Sequence, residues 1–297
     1  MSPAESTTGA PRPLWPLAAG ALAGGAYAWA RRGPGSARWR FDRADARPFA
    51  APSRIATTAD LDGLPEAAAR LLGSAGVVGR PIPAGMRAHV TGRLRSAPDA
   101  AWMPFRARQV STFAPRPTRR FLMQATMRGL PVEVLHQMEG RTATMRAKVL
   151  SLIPVITMSG PEADRAEAVT FLNDMCVFAP GALLDAPVTW QGIDAERVRV
   201  EYDAQAGRVG AELTISRDGR LVDFVSHDRV QDPGTPRSRR LDWSTPIDEH
   251  AVRDGASIGV HGGARWREDG RWWTYLELRI DDLSYATRAP QSRKMSG

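Results

Sequence analysis

Lysine is almost missing from this chain: of 40 basic residues among 297, only Lys148 and Lys294 are lysine and the rest are arginine. The formal net charge of +8 admits an anionic partner, either nucleic acid or an anionic membrane surface. Yet no basic cluster is interleaved with aromatics as single-strand binding requires. The nearest cluster, Arg237, Arg239 and Arg240, sits in a proline-rich loop. Arginine in place of lysine, with abundant Ala, Gly and Pro, reads as GC-rich coding, and no nucleic-acid partner is expected. Cysteine is reduced to Cys176, which excludes an internal disulfide framework and any multi-cysteine metal site. The five histidines, His89, His136, His227, His250 and His261, show no H-E-x-x-H spacing and no cysteine at zinc-finger distance. The glycine-rich "GVHGG" at Gly259–Gly263 precedes no helix, so it is no phosphate loop. No repeat of fixed length occurs. Neither a cofactor nor a metal is expected.

What is present begins with an uncharged run, Leu14 to Ala30, followed at once by Arg31 and Arg32. Seventeen helical residues reach about 25 Å, slightly short of a hydrocarbon core of ~30 Å. The run is expected to be a single-pass anchor (residues 14–30) after a disordered start (1–13). Gly20 and Gly24 form a small-xxx-small pair. A signal peptide cut after Ala26-Tyr27-Ala28 is the alternative, although Arg12 is its one basic residue before the run and arginines directly follow the cut. The arginine flank favours a cytoplasmic side for the C-terminal domain. Residues 31–60, rich in Pro, Gly, Ala and Arg, read as a linker. A short helix is expected from Pro65 to Leu72, with Gly73 as its stop.

From Met86 the period becomes two. Met86, Ala88 and Val90 alternate with Arg87, His89 and Thr91; later Val198, Val200 and Tyr202 alternate with Arg197, Arg199 and Glu201. Hairpin turns are marked at Arg128-Gly129, Gly140-Arg141, Asp218-Gly219 and Asp269-Gly270. Between them "GPEADRAEAVTFLNDM" has acids in its first turn and a helical period, running to about Phe178. Ala179-Pro180-Gly181 stops it, and "LLDAPVTW" returns to strand. Ten or eleven strands joined by short turns cannot stay flat and open. The expected fold is mainly β: one antiparallel sheet over residues 61–287, curled into a half-barrel or barrel, with a helix on its open side and a disordered tail at 288–297.

Chemistry-bearing residues are few. Cys176 lies near the end of the expected helix, where the dipole disfavours a thiolate, and Met175, Val177 and Phe178 surround it, so it reads as a packing residue. Asp174 and Asp185, with Asp223 and Asp228, offer carboxylates for acid–base work if the fold gathers them. Ser226-His227-Asp228 resembles a triad in print, but strand neighbours point to opposite faces. Adjacent Trp272 and Trp273 must likewise face opposite ways. Inward-facing aromatics, Trp102, Phe171, Phe178, Trp190, Phe224 and Trp243, are the candidates to line an apolar pocket, with ordinary core packing as the alternative.

"FLNDMCVFAPGALLDAPVTW", "RLVDFVSHDR", "AWMPFRARQV" and the run from Trp266 to Tyr285 together resemble an uncharacterised bacterial family of membrane-anchored proteins of unknown function, over roughly residues 62 to 286. More loosely, that family is similar to the lipoprotein-carrier (LolA-like) class. This implies an antiparallel half-barrel whose concave side is covered by helix and shelters acyl chains. The resemblance carries no catalytic residue. The leading expectation is a membrane-tethered, non-enzymatic binder of a lipid or other apolar ligand. A hydrolase-like enzyme using Asp174, Cys176 and Asp185 is one alternative, and an envelope-associated interaction module without ligand is another. An enclosed cavity above roughly 300 Å³ would favour the binder, convergence of Asp174, Asp185 and His227 would favour the enzyme, and a solid core would leave the interaction module.

Overall fold

The computed structural model describes residues 15–51, 54–114 and 116–286; the segments expected to be disordered at 1–13 and 288–297 lie outside them. Helix α1 (Trp15–Arg32) occupies the expected anchor and is followed by α2 (Ala37–Asp45) and α3 (Glu66–Ser74). A meander of six strands comes next: β1 (Gly85–Leu94), β2 (Met103–Thr112), β3 (Thr118–Met127), β4 (Leu130–Glu139), β5 (Thr142–Val149) and β6 (Ile153–Ser159). Helix α4 (Pro161–Phe178) and a 3-10 segment (Pro180–Leu184) interrupt the strands. The second half holds β7 (Val188–Gly192), β8 (Arg197–Ala204), β9 (Gly207–Ile215) and β10 (Leu221–Ser226), then the two-residue strands β11 (Val230–Gln231), β12 (Arg239–Arg240) and β13 (Trp243–Ser244). The chain closes with β14 (Ile247–Arg253), β15 (Ala256–Glu268) and β16 (Arg271–Tyr285).

Fourteen strands form one sheet in the order β6-β5-β4-β3-β2-β1-β16-β15-β13-β10-β9-β8-β7, with β14 paired on β15. The long strand β16 joins the halves by pairing antiparallel with both β1 and β15. Strands β6 and β7 end the path unpaired with each other, so the sheet is a half-barrel rather than a closed barrel. The curl shows in α4, which touches β5 and β6 on one wall and β9, β10 and β15 on the other. The hairpins marked by Arg128-Gly129, Asp218-Gly219 and Asp269-Gly270 all form. The count exceeds the ten or eleven expected because two-residue strands carry no readable period, and β6 is exposed at nearly every position.

Local chemistry explains the helices. Pro161 opens α4 with the fixed backbone angle a first turn needs, and Glu162 and Asp164 lie in the first turn, where the helix dipole favours acids. From Ala166 onward nearly every side of α4 is buried, the pattern of a helix enclosed by its fold rather than lying on it. Phe171, Leu172 and Met175 are inaccessible to solvent, and burial of each contributes about 1.5–3 kcal/mol. Helix α3 adds Ala67, Ala68, Leu71 and Leu72 to the same concave core. It runs through Gly73, the expected stop, and ends at Ser74; the left-handed position that closes it is Gly76, at φ 73°.

Two N-terminal expectations change. Residues 31–60 contain α2, capped by Ser36, whose Oγ accepts from the Trp39 amide at 3.1 Å. Phe41 and Ala44 of α2 pack on Val110, Leu122 and Leu135 of the convex sheet face, forming a second small core. The composition of α2 hid it, since two buried residues among charged ones make no sustained period. Helix α1 forms, but among the described residues no helix is long and apolar enough to cross a membrane.

Candidate functional site

The interior of the half-barrel is filled. Phe171, Phe178, Phe224 and Trp243, expected to line a pocket, are buried in the main core. Phe171 lies between Phe113 and Tyr202, with ring centres 5.8 and 6.1 Å away, and Phe224 meets Trp243 edge-on. Trp243 satisfies its indole N–H on the Tyr275 hydroxyl at 3.0 Å. Trp190 is half-buried on the edge strand β7. Trp102 sits outside the core between Arg93 and Arg95, each guanidinium 4.6 Å from its ring centre. The structure therefore does not gather these six residues around one void. A space beside Phe178 and Asn173 amounts to about 30 Å³. Trp273 and Trp272 face opposite ways, the first against Tyr275 and the second under Arg265.

The carboxylates do not converge either. Asp185 pairs with Arg54 at 3.0 Å. Asp223 takes Arg265 at 2.9 Å and the Ser244 hydroxyl at 2.7 Å. Asp228 binds Arg165 and the Gly210 amide, while His227 pairs with Asp242 at 2.7 Å. Ser226 donates to the Gly210 carbonyl, so Ser226, His227 and Asp228 form no relay. Burial pushes the Cys176 thiol far above its ordinary range. Asp174, Cys176 and Asp185 thus have three separate environments, and the arrangement expected of the enzyme alternative is absent. Among the described residues, no group of three His, Cys, Asp or Glu side chains could hold a metal ion.

Asp174 belongs to a buried ionic network that sequence reasoning missed. Arg119 of β3 donates through Nε to Asp174 at 2.6 Å and through Nη1 to Glu167 at 2.7 Å, both on α4. Gln109 of β2 donates to Asp174 at 2.6 Å, and His136 of β4 stands 3.7 Å from Glu167. Burial pushes the Asp174 carboxyl up, against the pull of Arg119 and Gln109. For Glu167 burial pushes the same way, but Arg119 and His136 outweigh it and hold the carboxyl well below its usual range. On the other wall Arg229 donates to the Ala166 carbonyl at 2.9 Å and to the Thr170 hydroxyl, and Asn173 donates to Thr245 at 2.6 Å. Polar bonds to both walls fasten α4 as a fixed plug.

A large concavity lies at the rim, where segments distant in sequence meet: Pro48, Phe49 and Ala56, the loop at 76–83, Gly181, the β14–β15 turn and the end of β16. It is an open cleft of about 740 Å³, within the range of small-molecule sites. Phe49, Val77, Pro81, Ile82 and Pro83 supply its apolar wall, and Arg80, Arg87, Asp254 and Tyr285 its polar part. Arg87 covers the Phe49 ring at 4.3 Å and is held by Asp45 at 2.7 Å. Arg80 donates to the Asp254 carbonyl at 3.3 Å and makes no ion pair among the described residues. The Tyr285 hydroxyl donates to the Phe178 carbonyl, and burial pushes its ionisation upward. No motif marks this cleft, because its walls come from loops and strand ends.

With this geometry in view, the profile of a family of unknown function (DUF6544) matches residues 54–278. The chain belongs to that family. No curated protein matches it. Among solved structures, a DUF1329 family protein from Desulfovibrio piger is 11% identical over 78% of this chain and 94% of its own, with a TM-score of 0.40. A LolA superfamily protein from Nitrosomonas europaea is 15% identical over 75% and 94%, with a TM-score of 0.37. A candidate outer-membrane lipoprotein-sorting protein domain from Vibrio parahaemolyticus is 11% identical over 70% and 87%, with a TM-score of 0.39.

Proposed function

We propose that this DUF6544 protein is a non-enzymatic binder of a lipid or similar amphiphile, held in the rim cleft rather than inside the half-barrel. The observation that carries this reading is the cleft of about 740 Å³, with an apolar wall at Phe49, Val77 and Ile82 and the guanidinium of Arg80 free of any carboxylate among the described residues. Such a site suits an apolar chain with an anionic or hydrogen-bonding head. The reading also holds the domain at a membrane through its N-terminal segment, and Arg31 and Arg32 after the apolar run support the cytoplasmic side.

Native mass spectrometry of the full chain purified from cells tests it: a bound lipid is expected, and its loss is expected in an Ala256→Trp variant that fills the cleft. A chain that is ligand-free and stays so after incubation with membrane lipids would overturn the reading. That outcome would favour the second reading, an interaction module without ligand, for which the solid interior around α4 is the supporting observation.

A further inference from the structure

Six exposed apolar side chains crowd one corner of the sheet. Met127 and Leu130 flank the β3–β4 turn, Leu152 and Ile153 follow the β5–β6 turn, and Val155 and Ile156 continue along β6. Leu152 and Ile153 are 50% and 56% exposed, although each would be at home in a core. Strand β6 pairs only with β5, so it also presents a free row of backbone donors and acceptors. From Ile153 to Ser159 it has no charged side chain, although Pro154 and the irregularity at Val155 interrupt the row. Edges of this kind are ordinarily short, charged or covered.

Register accounts for the patch. Ala125, Val132, Val149 and Ile153 are direct cross-strand partners in one row, as are Val134, Ala147 and Ile156 in the next. Both rows lie on the concave, core-facing side, where Val134 and Ala147 are buried. Helix α4, however, crosses the opposite end of these strands, where Arg119, His136 and Ala143 meet it. The apolar alternation therefore runs on past the cover that α4 gives.

The surroundings indicate what completes it. Ala30, near the end of α1, shares a small surface cleft with Arg146, Lys148 and Ser151, so α1 leaves the domain beside the β5–β6 turn. Arg31 and Arg32 end that helix, and Arg128 occupies the β3–β4 turn. Glu133, the one acid lining the small cleft, is already neutralised by Arg38 at 2.6 Å and accepts from the Ser151 hydroxyl. An apolar helix, an apolar strand edge and a rim of unneutralised basic side chains thus share one corner. A second copy of the chain would bring a like-charged rim against this one, which disfavours edge-to-edge pairing.

We infer that this corner is an interfacial membrane contact. The two turns and the start of β6 enter the boundary of an anionic bilayer beside α1, while Arg128, Arg146 and Lys148 remain among the headgroups. The contact is independent of the rim cleft. Its test uses the full chain carrying Leu152→Cys labelled with an environment-sensitive fluorophore; Cys176 is buried and stays unlabelled in the folded protein. With vesicles of phosphatidylcholine and phosphatidylglycerol, blue-shifted emission is expected, together with quenching by shallow doxyl-labelled lipid. Both effects are expected to weaken without phosphatidylglycerol. Unshifted emission from chain that sediments with the vesicles would mean that α1 alone holds the protein, and would overturn the inference. So would a shift that grows with protein concentration in the absence of lipid, which reports pairing between copies. A Leu130→Asp/Ile153→Asp variant is expected to lose on the order of ten-fold in vesicle partitioning with its unfolding midpoint unchanged. Equal partitioning of the two proteins would equally overturn the inference.

Discussion

Arg119 Nε lies 2.6 Å from Asp174 Oδ2 across the boundary between sheet and plug helix, with both side chains removed from solvent. The same guanidinium holds Glu167 through its other end. Replacing Arg119 by Met leaves two buried carboxylates without the guanidinium that bridges them. Removing one partner from a buried pair costs about 3–5 kcal/mol, and urea unfolding is expected to show a loss of that size. The triple variant Arg119→Met/Glu167→Gln/Asp174→Asn, which removes the charges together, is expected to recover most of it. A single variant as stable as the parent would show that the network does not fasten α4.

The network also has a pH signature. Burial opposes ionisation of Glu167, but Arg119 and His136 dominate and hold its folded carboxyl below the ordinary value of 4.5. A depressed carboxyl contributes stability that is present above its unfolded value and is lost as pH falls below it. Asp174, raised by burial, acts in the opposite sense and offsets part of the effect. Unfolding free energy is therefore expected to decline as pH drops below about 4.5, with a shallower decline in Glu167→Gln. Parallel acid limbs for variant and parent would exclude Glu167 as the source.

How far the sequence showed this architecture depends on which signals were local. The hairpins at Asp218-Gly219 and Asp269-Gly270 were readable because glycine supplies the left-handed position such turns need. The β5–β6 turn was not, since Leu150 and Ser151 adopt φ of 55° and 59° without glycine. Helix α4 was readable from its acids, its period and Pro180-Gly181. Its function as a plug was not, because Phe171 and Phe224 look alike in sequence whether they line a void or fill it. Arg119 and Asp174 lie 55 positions apart, and nothing local links them. The rim cleft is assembled from several such distant pieces.

Cys176 bears on the catalytic alternative. It is buried near the contact between α3 and the β9–β10 turn, and its thiol ionises far above the ordinary range. The folded chain is expected to leave a disulfide-exchange reagent unreacted at mildly alkaline pH, with one equivalent released only on unfolding. Rapid reaction of the native protein would restore Cys176 as a candidate nucleophile.

Gly92 marks a close approach between β1 and its neighbours. A Cβ there would stand 2.2 Å from the Glu277 carbonyl oxygen and 2.8 Å from the Phe105 ring. Backbone on one side and a core aromatic on the other leave no flexible group to yield. Gly92→Ala is expected to cost about 1–3 kcal/mol, read as a lowered unfolding midpoint. An unchanged midpoint would mean that β1 can separate from β16 without penalty.

Phe41 tests whether residues 31–60 merely connect or form part of the folded unit. Its ring is 1% exposed, lies on Leu122 and Leu135, and carries the Arg108 guanidinium 4.6 Å from its centre. Arg108 in turn pairs with Asp42 at 2.7 Å, Arg87 with Asp45, and Arg38 of α2 with Glu133, so ionic contacts also hold the same helix. Phe→Ala at a buried site costs about 3–5 kcal/mol when the site cannot collapse. Here α2 can detach as a unit, because Phe41 and Ala44 are its buried residues, with Ala37 packed beside them. Phe41→Ala is therefore expected to lower the global midpoint by less than that full amount. Amide exchange should quicken sharply over residues 37–45 and leave the β3 and β4 amides protected. Were this stretch only a linker, the variant would leave both midpoint and exchange as they are in the parent.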